Sequence, residues 1–146
     1  MGKAQTVKKT FSRETSVSAE INTSKDKIWS ILVDGPNYPK WNSTVTSIEG
    51  KIEQGCSIKL KSTLDPKRTF KLKVKEFDPS SKLVWGDPMG NRTYTLNENA
   101  NGGTTFTMVE KIGGPIFPLL ASKIPSFDES FEKFAADLKN EAERNL

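Results

Sequence analysis

Apolar and polar residues alternate along most of this chain, and the period of that alternation divides it into strands and helices. From Thr15, the stretch TSVSAEI sets Val17, Ala19 and Ile21 against Ser16, Ser18 and Glu20, the two-residue period of a half-buried strand. The period then lengthens. Thr23 or Ser24 supplies an N-cap, Asp26 suits a first helical turn, and Ile28, Ile31 and Leu32 fall at i, i+3 and i+4 on one face. Asp34-Gly35-Pro36 is expected to end that helix, because a left-handed glycine followed by proline is a frequent stop. The next segment, DGPNYPKWNS, places Tyr38 and Trp41 in a turn, where small polar residues are usual.

Strand periods return after the turn. Residues 44–49 and 56–62 are separated by turn signals at Gly50 and Gly55, and the second alternates Ile58 and Leu60 with Ser57, Lys59 and Lys61. In TFKLKVKEF, Phe70, Leu72 and Val74 oppose Lys71, Lys73 and Lys75. DPSSK turns into LVWG, which holds Leu83 and Trp85, and a further strand opening at Gly90-Asn91 puts Arg92, Tyr94 and Leu96 on one face. The last strand, TTFTMVEKI, places Phe106, Met108, Glu110 and Ile112 together, so one carboxylate sits among apolar neighbours.

The segment IFPLLASKIP is apolar and broken by proline, so Ile116, Phe117, Leu119 and Leu120 either pack down or gate an opening. Ser126 and Glu129 match an S-x-x-E capping box for a helix that carries Phe127, Phe131, Phe134 and Leu138 on one stripe. Such a stripe needs a broad apolar partner, most simply the sheet. The order of elements predicts an α+β chain, an antiparallel sheet with one face covered by a long C-terminal helix.

Composition narrows the chemistry. A length of 146 residues suits one domain, and 8 Phe, 3 Trp and 2 Tyr are enough for a core. No window reaches the roughly 18 to 20 apolar residues of a membrane span, and the first residues lack the apolar core of a signal peptide, so a cytoplasmic protein without stable membrane insertion is the expectation. Met1 to Thr6 formally fits an N-myristoylation pattern too short to carry weight. Residues 1–12, with Lys3, Lys8 and Lys9, are expected to form a flexible start.

Cys56 is the only cysteine and there is no histidine, which excludes an intrachain disulfide and a Cys/His metal site and removes the usual base for a serine or cysteine nucleophile. The net charge of +4 would suit an anionic partner. The lysines at 59, 61, 71, 73 and 75 form a stripe without interleaved aromatics, which favours a solvated face over a nucleic-acid surface.

Taken in order, INTSKDKIWSILVDGPNYPKWN, the Gly55-Cys56-Ser57-Ile58 turn, LVWG, GGTTFTMVEKIGG and FEKFAADLKNEAERNL resemble the START-like, SRPBCC superfamily, and most closely its polyketide cyclase/dehydrase-like branch. The resemblance runs from about Thr15 to Glu143. It implies a helix-grip fold: a curved seven-stranded antiparallel sheet around a long C-terminal helix, with two short helices between strands 1 and 2, occupying residues 13–146. It also implies an elongated apolar cavity between sheet and helix. Periodicity alone does not distinguish a hollow core from a filled one.

The candidate ligand-binding residues are Tyr38, Trp41, Leu60, Leu72, Trp85, Arg92, Tyr94, Phe106, Met108, Glu110, Phe117 and Phe131. Several have a structural alternative: Tyr38 and Trp41 either plug the core or sit at a cavity rim, Trp85 packs in the core or stacks on a ligand, Arg92 either binds a carboxylate or reaches the sheet edge, and Glu110 either is a buried acid/base or lies solvated at the strand end or paired with Arg92 or a lysine. Three functions stay open. The first is a binding protein for a hydrophobic small molecule such as a lipid, polyketide or isoprenoid-like compound, with no cofactor or metal. The second is a cyclase or dehydratase using Glu110 as a catalytic acid/base, and the third is a protein-interaction module of chaperone-activator type. Oligomeric state is left undetermined.

Overall fold

Alternation produces strands at β1 (Gln5–Lys8), β2 (Ser12–Ile21), β3 (Val45–Glu49), β4 (Ser57–Ser62), β5 (Thr69–Asp78), β6 (Lys82–Asp87), β7 (Gly90–Glu98) and β8 (Thr104–Gly113). All join one antiparallel sheet in the order β1-β2-β8-β7-β6-β5-β4-β3. The computed structural model describes residues 2–144. Met1 of the myristoylation-like pattern, and Asn145 and Leu146 of the expected domain, lie outside the described residues. Helices α1 (Lys25–Leu32) and α2 (Tyr38–Trp41) lie between β2 and β3, while α3 (Phe117–Leu120) and α4 (Asp128–Glu143) follow β8. This is the expected helix-grip arrangement with one strand more than the seven anticipated.

The extra strand is β1, in the segment read as a flexible start. Gln5–Lys8 pairs with β2 in the register Gln5↔Ser16 to Lys8↔Arg13, and the Thr6 and Thr15 hydroxyls meet at 3.1 Å. Four residues with a single large apolar side chain give periodicity nothing to detect. The two short helices therefore follow the second strand, not the first.

Helix α1 begins as its sequence requires: the Ser24 hydroxyl accepts the Lys27 N–H at 3.2 Å. Its end differs from expectation. Gly35 is not left-handed; it starts a 3-10 turn, Gly35–Asn37, and is there because a Cβ would come within 3.2 Å of the Ile48 side chain. The Ser126–Glu129 capping box is also absent. Helix α4 starts at Asp128, the Ser126 hydroxyl accepts the Asp128 N–H, and Glu129 pairs with Lys133 instead.

Helix α4 lays Phe131, Phe134, Ala135, Leu138 and Ala142 on the inner face of the sheet, each with no exposed surface. Burying each large side chain of that stripe contributes about 1.5–3 kcal/mol, which makes it the main attachment of the helix. The five sheet lysines from Lys59 to Lys75 stay exposed on the outer face. A register shift between Val74 and Glu76 lets Phe77 turn inward, where it meets Trp29 at a ring separation of 5.1 Å.

Candidate functional site

At the end of the sheet where β4, β6 and β8 finish and β5 and β7 begin, the inward side chains leave a pocket of about 240 Å³. Leu60, Phe70, Leu72, Trp85 and Ile112 provide its apolar wall from four strands, and Ile124 and Phe127 close it from the segment ahead of α4. Strand alternation alone aims these side chains the same way. Asp65 and Arg68 of the β4–β5 turn, Met89 of the β6–β7 turn and Lys123 stand along its border.

Arg92 and Glu110 form the charged part of the lining. They are register partners on β7 and β8, and Arg92 Nε donates to Glu110 Oε1 at 2.7 Å. Their side chains are only 12% and 18% exposed, and the guanidinium also lies over the Phe131 ring at 4.9 Å. Burial works against the Arg92 charge, but Glu110 and Tyr94 beside it hold its pKa above the ordinary arginine value. Beyond that bond the guanidinium makes no other hydrogen bond of normal geometry among the described residues; one side of it faces the Tyr94 hydroxyl, and the N–H groups turned to the pocket are available to a ligand.

Arg13, which strand periodicity passes over because it is charged, is 7% exposed. Its terminal nitrogens donate to the Ile124 and Pro125 carbonyls at 3.2 and 2.8 Å, and its guanidinium lies 4.7 Å from the Phe127 ring centre. Burial lowers its pKa, with Glu110 and Asp128 opposing. Arg13 thereby fixes the strap of residues that forms one wall of the pocket. Its inward register opposite Ile112 was the available signal.

Of the twelve residues singled out by sequence, Leu60, Leu72, Trp85, Arg92 and Glu110 border the pocket. Tyr94, Phe106, Met108 and Phe131 are buried behind it. Tyr94 packs on Trp85 at 5.0 Å and on Phe134 at 5.7 Å, and Phe106 stacks on Phe134 at 6.2 Å, so aromatic rings fill the space into which a longer cavity would extend. Tyr38 and Trp41 are not at the mouth. Tyr38 is fully buried, donates from its hydroxyl to the Leu32 carbonyl at 2.7 Å, and sits 4.8 Å from Trp41, which in turn meets Phe134 edge-on. The turn aromatics thus seal the core beneath the two-helix corner.

Phe117 packs down, 3% exposed, beside a separate groove between the β1–β2 hairpin and the strap. Phe70 and Ile112 share the faces of Leu72 and Glu110 and were within reach of the alternation pattern, whereas Arg68 and Met89 come from turns with no periodic signal. Among the described residues, no group of three or more His, Cys, Asp or Glu is placed to hold a metal ion. None of their helices is long and apolar enough to cross a membrane.

Residues 12–143 match the family described as polyketide cyclase / dehydrase and lipid transport. No curated protein matches by sequence. Among solved structures, the chain is similar to the Zhui aromatase/cyclase from Streptomyces sp. R1128, with a TM-score of 0.71 at 14% identity, over 91% of this chain and 94% of that one. It is similar as well to a START superfamily protein from Mycobacterium smegmatis, with a TM-score of 0.66 at 16% identity, over 91% and 99%. A conserved protein of unknown function from Enterococcus faecalis gives 0.71 at 13% identity, over 97% of this chain and 77% of that one. At such identities the structures establish the fold, and the family match spans nearly the whole chain: this protein belongs to the polyketide cyclase / dehydrase and lipid transport family and has its START-like helix-grip fold.

Proposed function

We infer that this protein binds an apolar small molecule, lipid-, polyketide- or isoprenoid-like, with one hydrogen-bonding end. The observation that carries this reading is the pocket's composition: an apolar wall of Leu60, Phe70, Leu72 and Trp85 beside a half-satisfied Arg92 guanidinium. Apolar walls with a few convergent polar groups are what small-molecule sites have in common. At about 240 Å³, the pocket is slightly below the roughly 300–1,000 Å³ usual for drug-sized ligands, so it suits a small compound or one end of a longer one.

Ligand burial supplies the affinity at roughly 25 cal/mol per Å² before ordering costs, and Arg92 sets the orientation by donating to a carbonyl, hydroxyl or carboxylate. Glu110 is less suited to proton transfer than its sequence position suggested, because Arg92 holds it as a paired acceptor. The test is displacement of an environment-sensitive apolar dye, together with native mass spectrometry of the purified chain. A displaceable dye bound at one site and weakened by Leu72→Trp supports the reading; no dye binding and no co-purifying compound overturns it.

A further inference from the structure

Of the four large apolar side chains that the described residues leave mostly exposed, Phe11, Ile116 and Leu119 sit in the segments at the pocket end of the sheet, and Val7 lies opposite Glu14 on its outer face. The four are Val7 at 56%, Phe11 at 59%, Ile116 at 57% and Leu119 at 76%. Val7 and Phe11 belong to the β1–β2 hairpin, whose turn closes through the Lys9 N–H donating to the Ser12 carbonyl. Ile116 and Leu119 belong to the strap after β8. The two segments are tied together where the Gly114 N–H donates to the Phe11 carbonyl at 3.0 Å, and the Gly113 N–H reaches the Met89 carbonyl on the pocket border at 2.9 Å. Exposed apolar side chains scattered singly need no explanation, but a set gathered beside a pocket mouth marks a contact surface.

The charges around this patch say what it contacts. Lys8, Lys9, Lys67, Arg68 and Lys123 are all exposed at this end, and none forms a salt bridge among the described residues. The carboxylates nearby are Asp65 and Asp87 on the turns, Glu14 on β2 and Asp128 at the start of α4; Asp87 is occupied by the Met89 and Gly90 N–H groups and Asp128 accepts from the Thr6 hydroxyl, which leaves the exposed cations in excess. Protruding Phe, Ile and Leu side chains ringed by lysine and arginine complement an anionic interface with an apolar interior. A protein partner would have to match the shape of the groove between hairpin and strap, whereas a bilayer needs only apolar side chains that protrude among cations, as Phe11 on the hairpin and Leu119 on α3 do.

We propose that the hairpin tip and strap dock this protein, reversibly, on the surface of an anionic lipid bilayer, with the pocket mouth facing the membrane. Phe11, Ile116 and Leu119 enter the headgroup region while the five cations stay at its level. Resting on the ligand reading above, this orientation lets an apolar molecule pass between bilayer and pocket without crossing water.

Co-sedimentation of the full chain with vesicles tests docking directly. The wild type is expected to pellet with vesicles of equal parts phosphatidylcholine and phosphatidylglycerol, to stay in solution with phosphatidylcholine alone, and to be released by added salt. The double variant Ile116→Asp/Leu119→Asp is expected to lose at least about tenfold in partitioning, and Lys8→Glu/Lys9→Glu about as much. All four positions are exposed, so unchanged thermal unfolding confirms intact folding. Leu72→Trp, which fills the pocket, should sediment like the wild type; dye binding lost with docking kept separates failure of the ligand reading from failure of this one. Absence of sedimentation with anionic vesicles overturns the proposal. So does unchanged sedimentation of Ile116→Asp/Leu119→Asp, or a wild-type dimer that this variant makes monomeric, which would assign the patch to a second copy of the chain.

Discussion

Arg92 and Glu110, adjacent across β7 and β8, share a 2.7 Å charged hydrogen bond in a lining where neither side chain is more than 18% exposed. Such a pair costs desolvation and returns most of it through the bond, so its removal in halves is more damaging than its removal as a whole. Arg92→Met, which strands the carboxylate, is expected to destabilise by about 1.5–3 kcal/mol. Arg92→Met with Glu110→Met should cost less than that single change. Urea unfolding of Arg92→Met, Glu110→Met and the double variant measures both, and a double variant less stable than either single one contradicts the pairing.

Tyr38 and Tyr94 are both fully buried phenols with opposite accounts. The Tyr38 hydroxyl satisfies the Leu32 carbonyl at the end of α1, whereas the Tyr94 hydroxyl has no hydrogen-bond partner among the described residues. Tyr38→Phe is expected to cost about 1–3 kcal/mol, because it leaves a buried carbonyl unpaired. Tyr94→Phe should be neutral or slightly stabilising. Equal losses in thermal or urea unfolding contradict this assignment.

Burial raises the pKa of both phenols above the ordinary tyrosine value, for Tyr94 against the opposing charge of Arg92. A raised folded pKa means that the unfolded chain loses its phenolic protons first. The associated stability is therefore complete below about pH 10 and declines as pH rises beyond it. Alkaline unfolding should start above that point, and Tyr38→Phe should flatten the stability decline between pH 10 and higher values, measured by circular dichroism.

Glu143 supplies the acid counterpart. Its Oε2 accepts from Lys139 and from the Asn22 N–H at 2.8 Å, joining the end of α4 to the loop after β2, and these bonds lower its pKa. A depressed carboxylate contributes stability above its unfolded pKa of about 4.3 and loses it as pH falls through the folded value. Glu143→Gln should reduce stability near neutral pH and unfold with a shallower dependence on pH below about 4.

Much of this fold is legible in the amino-acid sequence, for identifiable reasons. Two-residue alternation marks most of the strands, since those have one wet face, whereas β6 is buried on both faces and shows only as the apolar run after the DPSSK turn; the Phe131, Phe134 and Leu138 stripe marks α4. Arg13 hides the first residues of β2, Ser12 to Glu14, because a buried arginine held by two carbonyls reads as polar. The register shift at Val74, which turns Phe77 inward, depends on pairing with β6 and not on local sequence. The site divided in the same way. Leu60, Leu72, Trp85, Arg92 and Glu110 were found by face, but facing inward is shared by residues that line a space and residues that fill it. Whether Tyr94 and Phe106 met solvent or Phe134 depended on where a helix some 30 residues away sets its rings.

The pocket itself admits the most direct test. Trp85 borders it and is 2% exposed, so an apolar ligand entering beside Leu60 and Leu72 should change its fluorescence. Titration of the wild type with a fatty-acid or polyketide-like probe should give a saturable Trp85 signal with one-to-one stoichiometry. The signal should be absent in Trp85→Phe and at least about tenfold weaker in affinity in Leu72→Trp. A signal that does not saturate, or that Leu72→Trp leaves unchanged, contradicts a ligand site between this end of the sheet and the segment ahead of α4.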